Sequence, residues 1–294
     1  MASRLAPELL VRLVDDAAVF PPGLAPLPRA VTDHLARTAY RRYVGPLLVP
    51  AAAAAEVVTL AAGAHLQVGL IARPGTPIEP IRAGAAMLDG TSVELAGVEV
   101  GAAADWAALA ADDGPGVPVT VEIPRDGFDA ALDSVAKASH ARPWGPLVQA
   151  KFRTGATEVW AWPDEAELAR FLVGAVARDL PFKLTGGLHH VLREDHPGPA
   201  GGPQHGLLNV LGALQTVLDG ADVAMAAEVL AQREPQPLVA VLGPLRTEQA
   251  ERIRQYFTAY GCCDVLDPVR ELAQLGLIER EEPAPDDPPD PPTR

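Results

Sequence analysis

The chain has 294 residues, of which 48% are hydrophobic, and 38 Asp and Glu against 24 Lys and Arg give a net charge of −14. This apolar content is enough to bury a core, which excludes a disordered chain, and the length suits one large α/β barrel or two small domains. The negative charge argues against a nucleic-acid-binding protein, because such a protein needs clustered Lys and Arg to replace the counterions of phosphates.

The only cysteines, Cys262 and Cys263, are adjacent. Neighbouring cysteines can close only a strained ring, so we predict two reduced thiols in a cytoplasmic protein, with metal or redox chemistry as the alternative. The alanine-rich run 51–64 contains Glu56 and is too weakly apolar for a membrane span. Charges interrupt any secretory signal in the first twenty residues, at Arg4, Glu8, Arg12 and Asp15.

Residues 1–42 are predicted to form helices and a proline-rich loop that pack on the following domain. A helix is expected over 7–14, a turn-rich loop over 20–23 and a second helix over 30–39. The acids Asp15 and Asp16 precede the loop and could fold over the mouth of a barrel. A helix end and a linker explain them equally well, so both are peripheral candidates.

From residue 43 to 280, short β-branched runs alternate with alanine-rich helical stretches. This order is typical of a parallel sheet covered by helices, and we predict an α/β fold, a (β/α)8 TIM-type barrel. Seven strands are legible, at 44–49, 66–72, 92–96, 117–123, 147–152, 181–185 and 238–242. Residues 206–230 read as helical where an eighth strand is expected, so either 207–211 is a short strand or the barrel is irregular.

Two of the helices have clear start signals or apolar stripes. Pro163, Asp164 and Glu165 are typical of a helix start. Another helix is predicted from Thr247, with Gly261 positioned to end it. Its apolar stripe consists of Ile253, Tyr256, Phe257 and Tyr260. Residues 281–294 are mostly prolines and acids and are predicted to be a disordered tail.

Lysine is rare in this chain and its positions are informative. Arginine supplies 21 of the 24 basic residues, and the lysines are Lys137, Lys151 and Lys183. Lys151 and Lys183 lie inside predicted buried strands, where an ammonium group needs a partner or a chemical role. Arginine cannot lose its proton, whereas burial and a neighbouring cation lower the pKa of a lysine. The neutral amine could then attack a carbonyl group and form a Schiff base.

The segments around these lysines, Lys151-Phe152-Arg153-Thr154-Gly155 and Phe182-Lys183-Leu184-Thr185-Gly186-Gly187, resemble the two lysine motifs of the deoxyribose-phosphate aldolase family of class I aldolases. The resemblance covers about a dozen of the 294 residues. It implies a TIM barrel in which Lys151 forms the imine and Lys183 is its electrostatic partner. Glu122 stands where the family uses an aspartate, and Arg153 where the family prefers a serine.

A plainer interpretation is a buried salt-bridge network in which Glu122 pairs with Lys151 or Lys183 and ties the strands together. Buried ion pairs are poor sources of stability, because desolvation can exceed the Coulombic gain. Anchoring of a ligand is the other alternative.

Four of the seven histidines follow the sixth predicted strand: His189, His190, His196 and His205. Gly186 and Gly187 allow a sharp turn whose N–H groups could hold a phosphate or carboxylate. Residues 197–203 could serve as a mobile lid. His190 or His205 could act as general acid or base, because imidazole titrates near neutral pH. Zinc or another divalent metal is the alternative, with Glu194 or Asp195 completing its ligands, although the spacing matches no metal motif.

These observations predict a cytoplasmic enzyme that acts on a small anionic carbonyl compound by aldolase, lyase or isomerase chemistry. The predicted catalytic residues are Glu122, Lys151, Lys183, His190 and His205. Those predicted to bind substrate are Arg153, Thr154, Thr185, Gly186, Gly187, His189 and Asn209. No cofactor, metal, nucleic acid or membrane is predicted, the partner is a phosphate- or carboxylate-bearing small molecule, and a homo-oligomer is compatible with the sequence. The alternatives are a metal-dependent hydrolase or lyase at the histidine loop and a non-catalytic ligand-binding barrel.

Overall fold

A computed structural model describes residues 4–102, 105–158, 160–196 and 202–281. The strands are β1 Val14–Asp16, β2 Val44–Pro50, β3 Leu66–Ile71, β4 Val93–Gly101, β5 Val119–Glu122, β6 Val148–Arg153, β7 Phe182–Thr185, β8 Glu194–His196, β9 Gly202–Gln204 and β10 Phe257–Cys262. Eight parallel strands close into a barrel in the order β1-β10-β7-β6-β5-β4-β3-β2, and β8 and β9 form a separate antiparallel pair. The predicted (β/α)8 TIM-type barrel is confirmed.

Helices follow the barrel strands, as the alternating pattern predicts. They are α1 Leu27–Ala36, α2 Ala54–Ala61, α3 Glu79–Leu88, α4 Phe128–Ala141, α5 Glu165–Ala177, α6 Leu207–Leu218, α7 Val223–Leu230, α8 Pro235–Leu242, α9 Thr247–Tyr256 and α10 Leu266–Gln274. The predicted start of α5 is confirmed, because Asp164 forms a capping box with Glu167. Within the part of the chain that the structure describes, every helix is too short or too polar to span a bilayer.

Six predicted strands correspond to β2–β7, and the seventh prediction is wrong. Residues 238–242 belong to α8, which starts with Pro235 in its first turn and buries Leu238 and Leu242. A short apolar run fits a buried strand or one face of a helix, and the spacing of four between the two leucines is helical. Residues 207–211 likewise lie in α6 rather than in a strand.

The first and last barrel strands lie where the sequence pattern predicts helices. Residues 7–9 form only a single 3₁₀ turn, and β1 follows it and pairs with both β10 and β2. The barrel therefore begins inside the segment 1–42 that was predicted to be an addition to it. The predicted helix from Thr247 ends at Tyr256, and the next residues form β10. Phe257 and Tyr260 are fully buried in that strand, so burial of these two rings did not require a helix.

Of the predicted disordered tail, residues 281–294, the structure describes only Glu281. Glu281 accepts a hydrogen bond of 2.6 Å from the backbone N–H of Tyr40 and lies 3.1 Å from Arg42. The remaining residues of the predicted tail, 282–294, and most of the predicted lid, 197–201, lie outside the described residues.

The aromatic core between the sheet and its helices fixes which strand positions face inward. Phe152 on β6 stacks on Phe171 of α5 with ring centroids 4.7 Å apart, and Phe182 on β7 stacks on Phe257 at 5.6 Å. Side chains alternate between the two faces of a strand, so the neighbours of these rings point into the barrel. The alternation therefore directs Lys151 and Lys183 to the barrel interior.

Candidate functional site

The barrel interior contains six charged side chains, which we call the charged cluster: Asp15, Glu99, Glu122, Lys151, Arg153 and Lys183. Strand register brings three of them to one level, because Glu122 on β5 pairs with Lys151 on β6, and Lys151 pairs with Lys183 on β7. Asp15 comes from β1 and Glu99 from β4. A Cβ atom at Gly45 on β2 would overlap the carboxylate of Asp15, so glycine leaves the room that this side chain occupies.

Cations and carboxylates alternate along the charged cluster. Lys183 Nζ donates hydrogen bonds to Asp15 Oδ2 and, at 2.5 Å, to Glu99 Oε1. Lys151 Nζ donates to the other oxygen of Glu99 at 3.1 Å and lies 2.9 Å from Glu122 Oε2. Arg153 donates to Glu122 at 2.9 and 3.3 Å. Three positive and three negative groups balance, and Glu99 bridges the two lysines.

Five of these residues are between 2% and 8% exposed, the exception being Arg153. Burial on its own would raise the pKa of Glu99, but Lys183 and Lys151 outweigh it and lower the pKa to about 2. Burial would likewise raise the pKa of Glu122, yet Lys151 and Arg153 lower it below its usual range. Asp15 is different, because burial outweighs the attraction of Lys183 and raises its pKa. Asp15 is therefore the carboxyl group of the cluster that takes up a proton most readily.

The expectation that the pKa values of the two lysines are lowered is wrong. Burial does favour the neutral amine, but Glu122 and Glu99 outweigh it at Lys151 and raise the pKa. Asp15 and Glu99 do the same at Lys183. The sequence pattern indicated one carboxylate nearby, whereas each amine has two. Both lysines are consequently ammonium groups at neutral pH.

Glu99 was missed in the sequence, and Asp15 was treated as peripheral. The signal for Glu99 is the one that identified the lysines, since a single charge interrupts the apolar pair Val98 and Val100. The third predicted strand was ended at residue 96, but β4 continues to Gly101. Asp15 was ranked as peripheral because a helix end followed by a linker explained it equally well.

Arg153 and the turn after β7 form the mouth side of the site. The Arg153 side chain is 30% exposed. Gly186 and Gly187 have positive φ values of 71° and 124°, which glycine adopts readily. The hydroxyl of Thr154 lies 3.2 Å from the carbonyl oxygen of Thr185 and 3.1 Å from that of Gly186. Thr154 is buried and holds the turn in place, and the Arg153 guanidinium lies beside Gly186 of this turn.

A cavity of about 50 Å³ lies within the barrel beside the charged cluster. Lys183 and Glu99 line it together with the polar side chains of Thr120 and Gln149. A polar cavity of this size holds roughly three or four water molecules, so it accommodates water or a very small ligand.

Asp16 is not a member of the charged cluster. Its Oδ2 lies 2.9 Å from Nδ1 of His34, and its Oδ1 accepts a 3.2 Å hydrogen bond from the N–H of Ala18. Asp16 and His34 are both buried. His34 lies in the last turn of α1, with its ring buried.

The four histidines of the predicted loop lie in three different surroundings. His189 contacts Cys262 and Cys263, as described below. His190 Nδ1 lies 2.6 Å from Glu271, and its ring stacks on that of His196 at 3.7 Å. His205 Nε2 lies 3.0 Å from the carbonyl oxygen of Pro163. The histidines thus do not form one ligand set, and no group of three or more His, Cys, Asp and Glu among the described residues has a metal-site arrangement.

His205 and Asn209, predicted as site residues, have structural partners instead. Burial lowers the pKa of His205 to about 4, so its ring is neutral at neutral pH. Asn209, the single asparagine of the sequence, is completely buried. Its Oδ1 accepts from the N–H of Arg193, and its amide faces three carbonyl groups at the end of α7. Both donors of Asn209 are occupied, so neither is left for a substrate.

No protein-family model matches the chain, and no curated protein sequence matches it. The resemblance of the lysine segments to deoxyribose-phosphate aldolases therefore stays a prediction. The barrel and the geometry of the charged cluster are the findings on which a function can be argued.

Proposed function

We propose that this barrel is an enzyme that acts on a small anionic carbonyl compound by isomerase or lyase chemistry, with Lys151 and Lys183 as permanently charged amines. The observation that supports it is the pair of buried lysines that share Glu99 inside the barrel. Replacing a buried ion pair by packed apolar residues is often neutral or stabilising. A six-membered charged cluster is thus a costly way to fill a barrel, and a chemical role accounts for it better than stability does.

The position of the cluster agrees with this role. In TIM barrels the reacting groups lie at the carboxyl ends of the strands, and Glu122 and Arg153 end β5 and β6. The planar guanidinium of Arg153 suits a carboxylate or phosphate, and so do the N–H groups of a glycine turn such as Gly186–Gly187. These groups would hold the anionic end of the substrate at the mouth, with its carbonyl group toward Lys151.

The reaction that best fits the cluster is removal of a proton from the carbon next to the carbonyl group. Asp15 takes the proton, the electron pair of the C–H bond forms a carbon–carbon double bond, and the carbonyl oxygen becomes negative. Ammonium groups fixed in a buried site stabilise that charge without having to reorganise. Lys183 and Lys151 supply them. His190 and His205 take no part in this scheme, because His190 pairs with Glu271 and His205 bonds to the carbonyl oxygen of Pro163.

Deuterium exchange tests the proposal without knowledge of the natural substrate. The protein is incubated in D₂O with pyruvate, dihydroxyacetone phosphate or glyceraldehyde 3-phosphate, and NMR follows deuterium at the carbon next to the carbonyl group. We expect exchange with at least one compound, its loss in Asp15→Asn and its retention in Lys137→Met, which changes an exposed lysine. Exchange that survives Asp15→Asn would refute the base. Binding of these compounds without exchange would favour the ligand-binding barrel.

The aldolase resemblance favours a second version, in which Lys151 forms an imine. Borohydride reduction in the presence of each compound, followed by mass spectrometry, separates the two versions. The protonated amine of Lys151 predicts an unchanged mass. A reduced adduct on Lys151 would overturn the charged-amine role and favour class I aldolase chemistry.

A further inference from the structure

A second cluster of reactive side chains lies at the same end of the barrel, outside the charged cluster. Cys262 ends β10 and Cys263 follows it, while His189 lies just after the turn that follows β7. Because β10 and β7 are neighbours in the barrel, their carboxyl ends bring the histidine to the two thiols. The adjacent cysteines were predicted to be reduced thiols, with metal or redox chemistry as the alternative, and His189 was predicted to bind substrate.

Each ring nitrogen of His189 faces a sulfur atom. Cys263 Sγ lies beside the ring, 3.6 Å from Nε2 and 4.0 Å from Nδ1, and Cys262 Sγ lies 3.5 Å from Nδ1. Asp267 places a carboxylate oxygen 3.9 Å from Nδ1. This order of thiol, imidazole and carboxylate is the arrangement that activates a nucleophile in enzymes: the imidazole takes the thiol proton and the carboxylate stabilises the resulting cation.

The two thiols are not equivalent. Cys262 is 1% exposed, and its Sγ donates a 3.0 Å hydrogen bond to the carbonyl oxygen of Asp264. Burial raises its pKa and outweighs the effect of His189, which keeps Cys262 a thiol. Cys263 is only partly buried. A Cβ atom at Gly23 would lie 2.9 Å from the Cβ of Cys263, so the loop over residues 20–23 packs against one side of it.

We propose that Cys263 and His189 form a nucleophilic pair that adds reversibly to the carbonyl carbon of a neutral aldehyde. Cys263 transfers its proton to Nε2 of His189, and the sulfur forms a bond to the carbonyl carbon. The π pair of the carbonyl moves to oxygen, and Nε2–H returns the proton to that oxygen. The product is a hemithioacetal, and the step balances without an oxidant or a leaving group. It uses no member of the charged cluster and is independent of the function proposed above.

The charges around Cys263 and His189 favour the thiolate–imidazolium form of these two residues and an uncharged electrophile. The carboxylate of Asp267, 3.9 Å from Nδ1, stabilises the imidazolium form of His189. Asp264 lies near Asp267 and is itself flanked by Arg37 and Arg270, and the imidazole of His196 lies within reach of His189. Asp264 and Asp267 offset Arg37 and Arg270, so the surroundings carry no excess positive charge that would attract an anionic electrophile.

Alkylation by iodoacetamide at pH values from 5.5 to 9.5 tests whether His189 activates the thiol of Cys263. Intact mass and peptide mapping follow the reaction. We expect one rapid alkylation at Cys263, retained in Cys262→Ser and absent in Cys263→Ser. An ordinary thiol ionises near 8.5, so the rate at pH 6 should fall by about tenfold or more in His189→Gln. The milder Asp267→Asn should slow the reaction in the same direction. If the wild type and both variants follow one curve with an apparent pKa near 8.5, the nucleophilic pair is refuted.

Acetaldehyde tests the class of substrate. Added before iodoacetamide, it should protect Cys263 in the wild type and in Cys262→Ser, whereas ethanol at the same concentration should not. Rapid alkylation that acetaldehyde leaves unchanged would overturn the aldehyde assignment. Circular dichroism of each variant at the assay pH confirms that a changed rate comes from a folded protein.

Discussion

The substitution Lys183→Met tests whether the charged cluster behaves as the structure indicates. Methionine fills a similar volume but leaves Asp15 without its cation and Glu99 with Lys151 alone. Two carboxylates are then buried with one fewer compensating charge. Because an unpaired buried charge is far more costly than an unpaired surface charge, we expect a large loss of stability.

The pKa of Glu99 sets the scale of this loss. Its fall from 4.5 to about 2 corresponds to roughly 3 kcal/mol, which the two lysines supply in excess of the cost of burial. Removal of one partner of a buried pair costs about 3–5 kcal/mol in other proteins. We therefore expect Lys183→Met to lower the free energy of unfolding by about 3–5 kcal/mol at pH 7.

The effect should also depend on pH. In the wild type, the lowered pKa of Glu99 contributes stability that is present above about pH 4.5 and is lost as the pH falls toward about 2. Without Lys183, the pKa values of Asp15 and Glu99 rise, and a raised carboxyl pKa stabilises at low pH and destabilises as the pH increases. The deficit of the variant should consequently be larger at pH 8 than at pH 5.

Urea unfolding at pH 5, 7 and 8, followed by circular dichroism, measures both effects. The matched control is Lys137→Met, which changes an exposed lysine on α4 and should leave stability within about 0.5 kcal/mol of the wild type. A Lys183→Met variant as stable as the wild type at all three pH values, with the same dependence on urea concentration, would refute the buried charge balance.

Three further substitutions test other features of the structure. Because the pKa of His205 is lowered to about 4, the free energy of unfolding of the wild type should fall by up to about 3 kcal/mol between pH 6.5 and pH 4. The variant His205→Gln should not show this fall. The control variant His65→Gln, which changes a surface histidine, should still show it. Asn209→Leu leaves buried carbonyl groups and one N–H group without partners. Urea unfolding should therefore show that the free energy of unfolding falls by about 2–4 kcal/mol. An unchanged unfolding midpoint would contradict the contacts described. A Cβ atom at Gly155 would overlap the carbonyl oxygen of Gly186. Gly155→Ala should therefore displace the turn that contains Gly186 and lower the melting temperature. An unchanged melting temperature would show that this turn is looser than described.

The barrel could be predicted because its central strands carry strong local signals. β2–β7 are largely apolar runs bounded by turns or helix starts, with buried residues at most positions, which is typical of strands covered on both faces. β1 has only three residues, too few for a periodic pattern, and β10 continues directly from α9 with a spacing of apolar residues that also fits a helix. Their identity as strands is decided by the pairing that closes the barrel.

The site was predictable in part for a similar reason. A lysine within an apolar strand is conspicuous, and alternation of side chains directs Lys151 and Lys183 inward whatever the rest of the chain does. Which groups surround them depends on strands that are distant in sequence, since Asp15 and Lys183 are 168 residues apart. The expected lowering of the lysine pKa values was wrong for this reason, because two carboxylates per lysine outweigh the effect of burial.

The amino-acid sequence by itself determined the class of fold, the inward position of the two lysines and the turn chemistry of Gly186 and Gly187. Each depends on neighbouring residues and on the period of a strand or turn. The tertiary structure decided that Glu99 bridges the lysines, that the loop histidines separate and that His189 meets Cys263. These are contacts between distant segments, and only closure of the barrel gives them a distance and a charge environment.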